Sequence, residues 1–187
     1  MTNLTNTVKI PKEEIIAAAY DILKNHGLEA ISTRNIATKL GCSIKPIYRA
    51  FRDMESLLEA VHEKAMQKYT KILLAEISGE TKIKSIGLNY IRFAKEYPEL
   101  FKFIFFNDRQ ENTSIADHSL DTNKAHVVKL IKEGYGITDD KRAEDLYIKL
   151  GIFCNGVAAM IISKSTKFTD ADIDRLISEV SIKLVSD

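Results

Sequence analysis

The chain is a succession of amphipathic helical runs separated by short polar or glycine-containing breaks. A first run opens near Pro11, carries Ile15, Ile16, Ala19, Tyr20 and Leu23 on one face, and closes at Asn25-His26-Gly27. Glycine just past a periodic segment is a helix stop signal, because it enters left-handed backbone without a Cβ penalty. Two short runs follow. Ile36, Ala37 and Leu40 end at Gly41, and after a Cys42-Ser43 turn come Ile44, Ile47, Tyr48 and Phe51. A long fourth helix is predicted from about Met54 to Ser78, closed by Gly79, and a fifth from about Lys82 to Tyr97. Pro98 opens a short sixth, PELFKFIFF, and a seventh spans about Ser114 to Glu133 before Gly134 and Gly136. The eighth starts after Thr138-Asp139-Asp140 and reaches about Lys164, and the ninth runs from Thr169-Asp170 almost to the C-terminus. No alternating run of β-branched residues lies between hairpin turns, so the fold class is all-α.

The last two helices carry the densest apolar pattern. On the eighth, Leu146, Leu150, Phe153, Val157, Met160 and Ile161 form one stripe, and Ile148, Ile152, Ala159 and Ile162 form a second. A helix apolar nearly all round is buried on more than one side. Gly151, Gly156, Ala158 and Ala159 would let another helix approach closely, and the ninth repeats the theme with Ile173, Leu176, Ile177, Val180 and Leu184.

Composition narrows the class. With 187 residues, 45% hydrophobic and 28% charged, the chain holds one sizeable core or two smaller lobes and is not a disordered tail. The N-terminus, MTNLTNTVKIPKEE, has no apolar signal region, and no apolar run of 18 residues is apparent, so a cytoplasmic protein without a membrane span is expected. Cys42 and Cys154 are read as small buried hydrophobes in a reducing compartment.

Charge is distributed unevenly. From Thr33 to Arg52 there are five cations (Arg34, Lys39, Lys45, Arg49, Arg52) and no acid, in a chain of net charge +1. A single-sign patch in a nearly neutral protein points to a phosphate backbone. It coincides with two short helices joined by a glycine-containing turn, the helix-turn-helix unit whose second helix enters a DNA major groove. Ser43 is expected to cap that second helix and Pro46 to sit in its first turn, where a missing N–H costs little. Ile44, Lys45, Pro46 and Arg49 then lie toward base edges. Thr33, Arg34, Lys39 and Tyr48 are better placed for phosphates, which fix position but carry little sequence information. Arg52 is a further phosphate candidate.

The ordered residues Gly27, Thr33-Arg34, Ile36-Ala37, Leu40-Gly41-Cys42-Ser43, Ile47-Tyr48, Phe51 and Glu55-Ser56-Leu57-Leu58 resemble the DNA-binding domain of the tetracycline-repressor (TetR) family of bacterial regulators. The likeness covers roughly residues 10 to 60. Met54 and Ala50 stand where that family often has a Lys and an aromatic or His. The resemblance implies a three-helix DNA-binding domain over 1–53 and a six-helix ligand-binding and dimerisation lobe over 54–187. It also implies a homodimer through the last two helices, a palindromic double-stranded DNA operator and a small-molecule effector that releases it. The stretches YIRFAKEYPELFKFIFF and FCNGVAAMI are similar to a C-terminal subgroup named for a Trp-His-Gly signature, with Asn155-Gly156 in the His-Gly position and no Trp.

Within the larger lobe, Tyr90, Phe93, Tyr97, Phe101, Phe105, Tyr147 and Phe153 are candidate pocket-lining residues by type, with Asn89, Arg92, His126 and Asn155 as polar anchors. The same aromatics at helical spacing also suit a core. The sequence offers no glycine-rich phosphate loop, no nucleophile elbow and no metal-ligand set spread over two helices, so no cofactor, metal or catalytic residue is expected. The alternative to a ligand-responsive regulator is a helical small-molecule-binding or enzymatic bundle with the N-terminal helices as a docking module. An enzyme would need a convergent catalytic group and would have no use for the acid-free basic stretch.

Overall fold

The structure, a computed structural model, describes residues 10–76, 81–106 and 121–186. Among the described residues there are nine α-helices, one 3-10 turn and no strand. The helices are α1 (Lys12–His26), α2 (Thr33–Leu40), α3 (Lys45–Ala50), α4 (Met54–Leu73), α5 (Lys82–Glu96), α6 (Pro98–Phe105), α7 (Asp121–Tyr135), α8 (Asp140–Ile162) and α9 (Asp170–Ser186). The 3-10 turn, Leu28–Ala30, has no counterpart in the sequence pattern.

Two boundaries differ from the pattern. The fourth helix ends at Leu73, short of the predicted Ser78. The reason lies on α5: the buried Asn89 amide donates to the carbonyls of Leu73 (3.2 Å) and Ala75 (2.5 Å), satisfying groups that a continuing helix would have bonded itself. The seventh helix continues to Tyr135 and closes on Gly136, whose φ of 65° is left-handed, with Ile137 N–H donating back to Lys132. The predicted start of that helix, near Ser114, falls outside the described residues.

The chain divides into two compact units, Met1–Met66 and Gln67–Asp187. The sequence pattern predicts a boundary near residue 54 with the fourth helix running from one lobe into the other, and the first half of α4 belongs to the N-terminal unit. Leu57, Val61 and Ala65, spaced four apart, are fully buried, and Lys64 lies over the Tyr20 ring of α1. In that unit Ile15, Ala19 and Leu23 of α1 share the buried set with Ile36, Ile47 and Phe51.

In the C-terminal unit α5 packs against α6, α7, α8 and α9, and α8 packs against α7 and α9. Close approach of α5 and α9 depends on Gly87: a Cβ there would lie 3.1 Å from Ile177 Cγ2. Tyr69, Tyr90, Phe93, Phe101 and Phe105 form an aromatic cluster, with Tyr69 and Phe105 edge-on at 5.1 Å between centroids. The α8 helix is capped by Asp139, whose carboxylate accepts from Lys141 and Arg142 N–H groups. Only one of its apolar faces is buried within the chain. Leu146, Tyr147, Cys154, Val157 and Ala158 are covered, whereas Ile152 and Met160 are exposed. By length and composition α8 could also cross a bilayer, at mean hydropathy 1.5 with 28% of that window buried. The sequence pattern does not anticipate this, because Lys149 and several small residues interrupt the apolar run.

Candidate nucleic-acid interface and enclosed cavity

The turn between α2 and α3 is built by two local devices. Ser32 caps α2, its hydroxyl accepting from Asn35 N–H at 3.1 Å. At the other end Gly41 takes φ 64°, and Cys42 N–H reaches back to the Ala37 carbonyl at 3.0 Å, satisfying carbonyls that the finished helix leaves free. Ser43 does not cap α3, contrary to expectation. The helix starts one residue later with Ile44 as its first flanking residue, and no side chain caps it. Pro46 consequently sits at the second helical position, still inside the turn whose N–H groups lack partners.

Burial separates scaffold from surface along these helices. Ile36, Ile47 and Phe51 face inward, while Ser43, Lys45 and Arg49 are exposed with Arg34. Thr33 and Pro46 are half-buried. Two large side chains that could have been buried are not: Ile44 is 45% and Tyr48 58% exposed.

The five cations are not equivalent. Lys39 pairs with Asp21 of α1 at 3.5 Å, so the acid-free stretch in sequence is not acid-free in space. Arg52 donates from Nε to Asp53 at 2.8 Å, and Asp53 in turn accepts from Ser56 N–H as the cap of α4. Hydrogen bonds from the Ser56 backbone, then from Arg52, hold the Asp53 carboxyl down to about 2. Arg34, Lys45 and Arg49 have no acidic partner among the described residues.

The C-terminal unit encloses a cavity of about 60 Å³ bordered by α4, α5, α7, α8 and α9. Of the aromatic candidates, Tyr90 and Tyr147 line it. Phe93 and Phe101 are fully buried in the aromatic cluster beside it, and Tyr97 stacks on Phe93 at 5.6 Å. Phe153 is half-buried and outside the lining. Asn155 accepts a hydrogen bond from the Tyr90 hydroxyl at 3.3 Å. Arg92 and His126 are exposed. The sequence pattern misses most of the lining, which is aliphatic (Leu73, Ile83, Val127, Ile131, Ile177) with Asn123, Cys154 and Ser181 as added polar groups. Burial pushes the Cys154 thiol up to about 12 and the Tyr69 and Tyr90 phenols well above their usual range.

A capped helix, a left-handed glycine turn and a second short helix presenting cations without acidic partners among the described residues define a helix-turn-helix DNA-binding regulator, whose second unit is also all-helical. Residues 15–61 match the domain described as bacterial regulatory proteins, tetR family. Over 175 residues the chain is 26% identical to the nucleoid occlusion factor SlmA of Salmonella typhi, covering 86% of this chain and 87% of that protein. The fold is shared with a TetR-like transcriptional regulator from Rhodococcus sp. RHA1 at TM-score 0.66 and 14% identity, over 95% of this chain and 98% of that one. A protein with unknown function from Rhodococcus sp. RHA1 superposes at TM-score 0.72 and 18% identity, over 94% and 93%. Residues 15–61 thus carry a DNA-binding domain of the tetR family of bacterial regulatory proteins, and the chain as a whole has the fold of TetR-like regulators. The domain match stops at Ala60-Val61, so the Trp-His-Gly likeness of the C-terminal half lies outside it.

Proposed function

We propose that this regulator is a homodimeric repressor whose two α3 helices read the half-sites of a palindromic operator and which a small molecule releases. The observation that carries the DNA reading is the trio Arg34, Lys45 and Arg49, exposed without acidic partners among the described residues around the exposed Tyr48. In this reading Ile44, Lys45, Pro46 and Arg49 face base edges, and Thr33, Arg34, Ser43, Tyr48 and Arg52 contact the backbone. Arg52 would have to share its guanidinium between Asp53 and a phosphate.

Dimerisation through α8 and α9 is supported by an apolar line that the single chain leaves uncovered. Ile152, Gly156 and Met160 recur every four residues on α8, and Ile182 of α9 is 66% exposed. A Cβ on Gly156 would meet nothing within 4 Å among the described residues, so its smallness serves no packing against them. Gly156→Leu should therefore leave helicity intact and shift sedimentation from dimer to monomer. A Gly156→Leu protein that remains dimeric would move the interface elsewhere.

Release by a ligand is a linkage statement. An effector must bind the released state more tightly, and operator DNA must weaken effector affinity by the same factor, typically about 5–150-fold. The α4 helix supplies Leu57 and Val61 to the core of the first unit and Tyr69 and Leu73 to the cavity lining, which makes it the element to carry such coupling. Titrating the protein with duplex DNA from its own upstream region, with and without candidate small molecules, tests this. A regulator whose DNA affinity no small molecule changes would be a constitutive DNA-binding protein.

A further inference from the structure

The cavity has a chemical character that limits what it can hold. Among its described lining residues none carries a charge; the polar ones are tyrosines, Asn123, Cys154 and Ser181. Lys84, beside the lining residue Ile83 in sequence, pairs with Asp174 at 2.8 Å. A carboxylate or ammonium placed in this cavity would lose its hydration with no counter-ion to compensate, a penalty that protein interiors do not offset by packing alone. Because burial keeps Cys154 a thiol and Tyr69 and Tyr90 phenols at neutral pH, no anionic ligand for a soft metal or an electrophile arises there either.

Two of the polar groups are already committed. The Tyr90 hydroxyl donates to Asn155, and the Asn123 amide donates to Thr70 Oγ1 at 3.1 Å. Ser181 differs: it is buried, borders the cavity, and its hydroxyl has no hydrogen-bond partner among the described residues. Burial raises the Tyr135 phenol and Ser181 lowers it in part, so the two hydroxyls are neighbours, but without hydrogen-bond geometry between them. A serine inside a helix commonly satisfies itself on the carbonyl four residues back. Leaving a buried hydroxyl unmatched is unfavourable, and a ligand group that pairs with it recovers that loss. The space, about 60 Å³, exceeds the ~10–15 Å³ that one water needs and is smaller than the ~150 Å³ that holds benzene, so a short branched chain fits and a single ring requires the lining to shift.

Resting on the reading of this unit as a sensor, we infer that the effector is a compact, uncharged, mainly apolar molecule with one hydroxyl or carbonyl group that pairs with Ser181. Calorimetric titration of the full chain near neutral pH with p-cresol, toluene and 4-methylbenzoate tests this, since the three share size and differ in polarity and charge. The expected result is binding of p-cresol about tenfold tighter than toluene, the increment of one hydrogen bond, with no saturable binding of 4-methylbenzoate. Ser181→Ala should reduce p-cresol to the affinity of toluene, leave toluene unchanged and leave thermal stability equal or higher. If 4-methylbenzoate binds as tightly as p-cresol, the class is wrong while sensing by this cavity stands. If Ser181→Ala leaves the p-cresol preference intact, the anchor is wrong. If neither p-cresol nor toluene binds, the inference is overturned, and the operator titration alone then decides whether the lobe senses any molecule.

Discussion

In the N-terminal unit Arg34, Lys45, Tyr48 and Arg49 stand on the surface above a core of Ile36, Ile47 and Phe51. In the C-terminal unit the polar groups Asn123, Cys154 and Ser181 are enclosed among aliphatic side chains. The first arrangement holds cations and an aromatic ring where water would accept almost any polar residue, so their presence calls for a partner. The second holds ordinary core residues around a space, and its function depends on what the packing leaves out. Substitutions should therefore separate stability from function cleanly in the first unit and mix them in the second.

The largest expected effect is on the second unit. Phe93 is fully buried and packs against Tyr69, Tyr97 and Phe101. Phe93→Ala should cost about 3–5 kcal/mol of stability in urea unfolding. A cost below about 1 kcal/mol would mean that the aromatic cluster can collapse into the adjoining cavity.

On the exposed face the same type of truncation should do the reverse. Tyr48→Ala and Arg34→Ala should change stability by no more than about 0.5 kcal/mol while weakening binding to all DNA sequences. For Arg34→Ala the slope of log affinity against log salt should also fall by about one phosphate equivalent. Lys45→Ala should relax base preference at one position in each half-site, by about 1–3 kcal/mol. Equal losses on specific and random duplexes would make Lys45 a phosphate contact.

Smaller effects follow from the caps. Ser32→Ala removes the side-chain acceptor of α2 and should cost about 1 kcal/mol. Ser43→Ala, which removes no cap, should be nearly neutral for stability, and thermal unfolding of the two variants side by side checks the assignment. Acid should act through Asp53. Its folded value, about 2, lies below that of an unfolded aspartate, ~3.9. The cap therefore contributes in full above the unfolded value and is lost as pH falls through the folded one. Replacing Asp53 with Asn should flatten that part of the acid-unfolding curve.

The first unit was largely legible because its signals are local. Helical periodicity, Gly27 and Gly41 as stops, and the charge bias each lie within a few residues of the feature they specify. Where tertiary partners intervene the pattern fails. Lys39 looks free until Asp21 is folded beside it, and α4 ends early because of Asn89, sixteen residues beyond Leu73. The family likeness, confirmed over residues 15–61, rests on those local signals. The cavity was not legible. Phe93 and Phe101 have the residue type expected of a pocket and pack as core, whereas Ile131, Gly151 and Ser181 line the space and look unremarkable in sequence. Aromatic type reports bulk; a void depends on how five helices meet.

The central claim, that the exposed basic face of α2 and α3 is the working surface of a DNA-binding regulator, is tested most directly by one titration. Duplex DNA from the protein's own upstream region and a scrambled duplex are titrated over a range of salt, with the wild type and with Arg34, Lys45 and Arg49 together changed to Ala. The wild type should bind tightly and in a sequence-dependent way, with log affinity falling linearly with log salt. The triple variant should stay folded and lose both the preference and most of the salt slope. A folded triple variant that binds the upstream duplex as the wild type does, with the same slope, would contradict it.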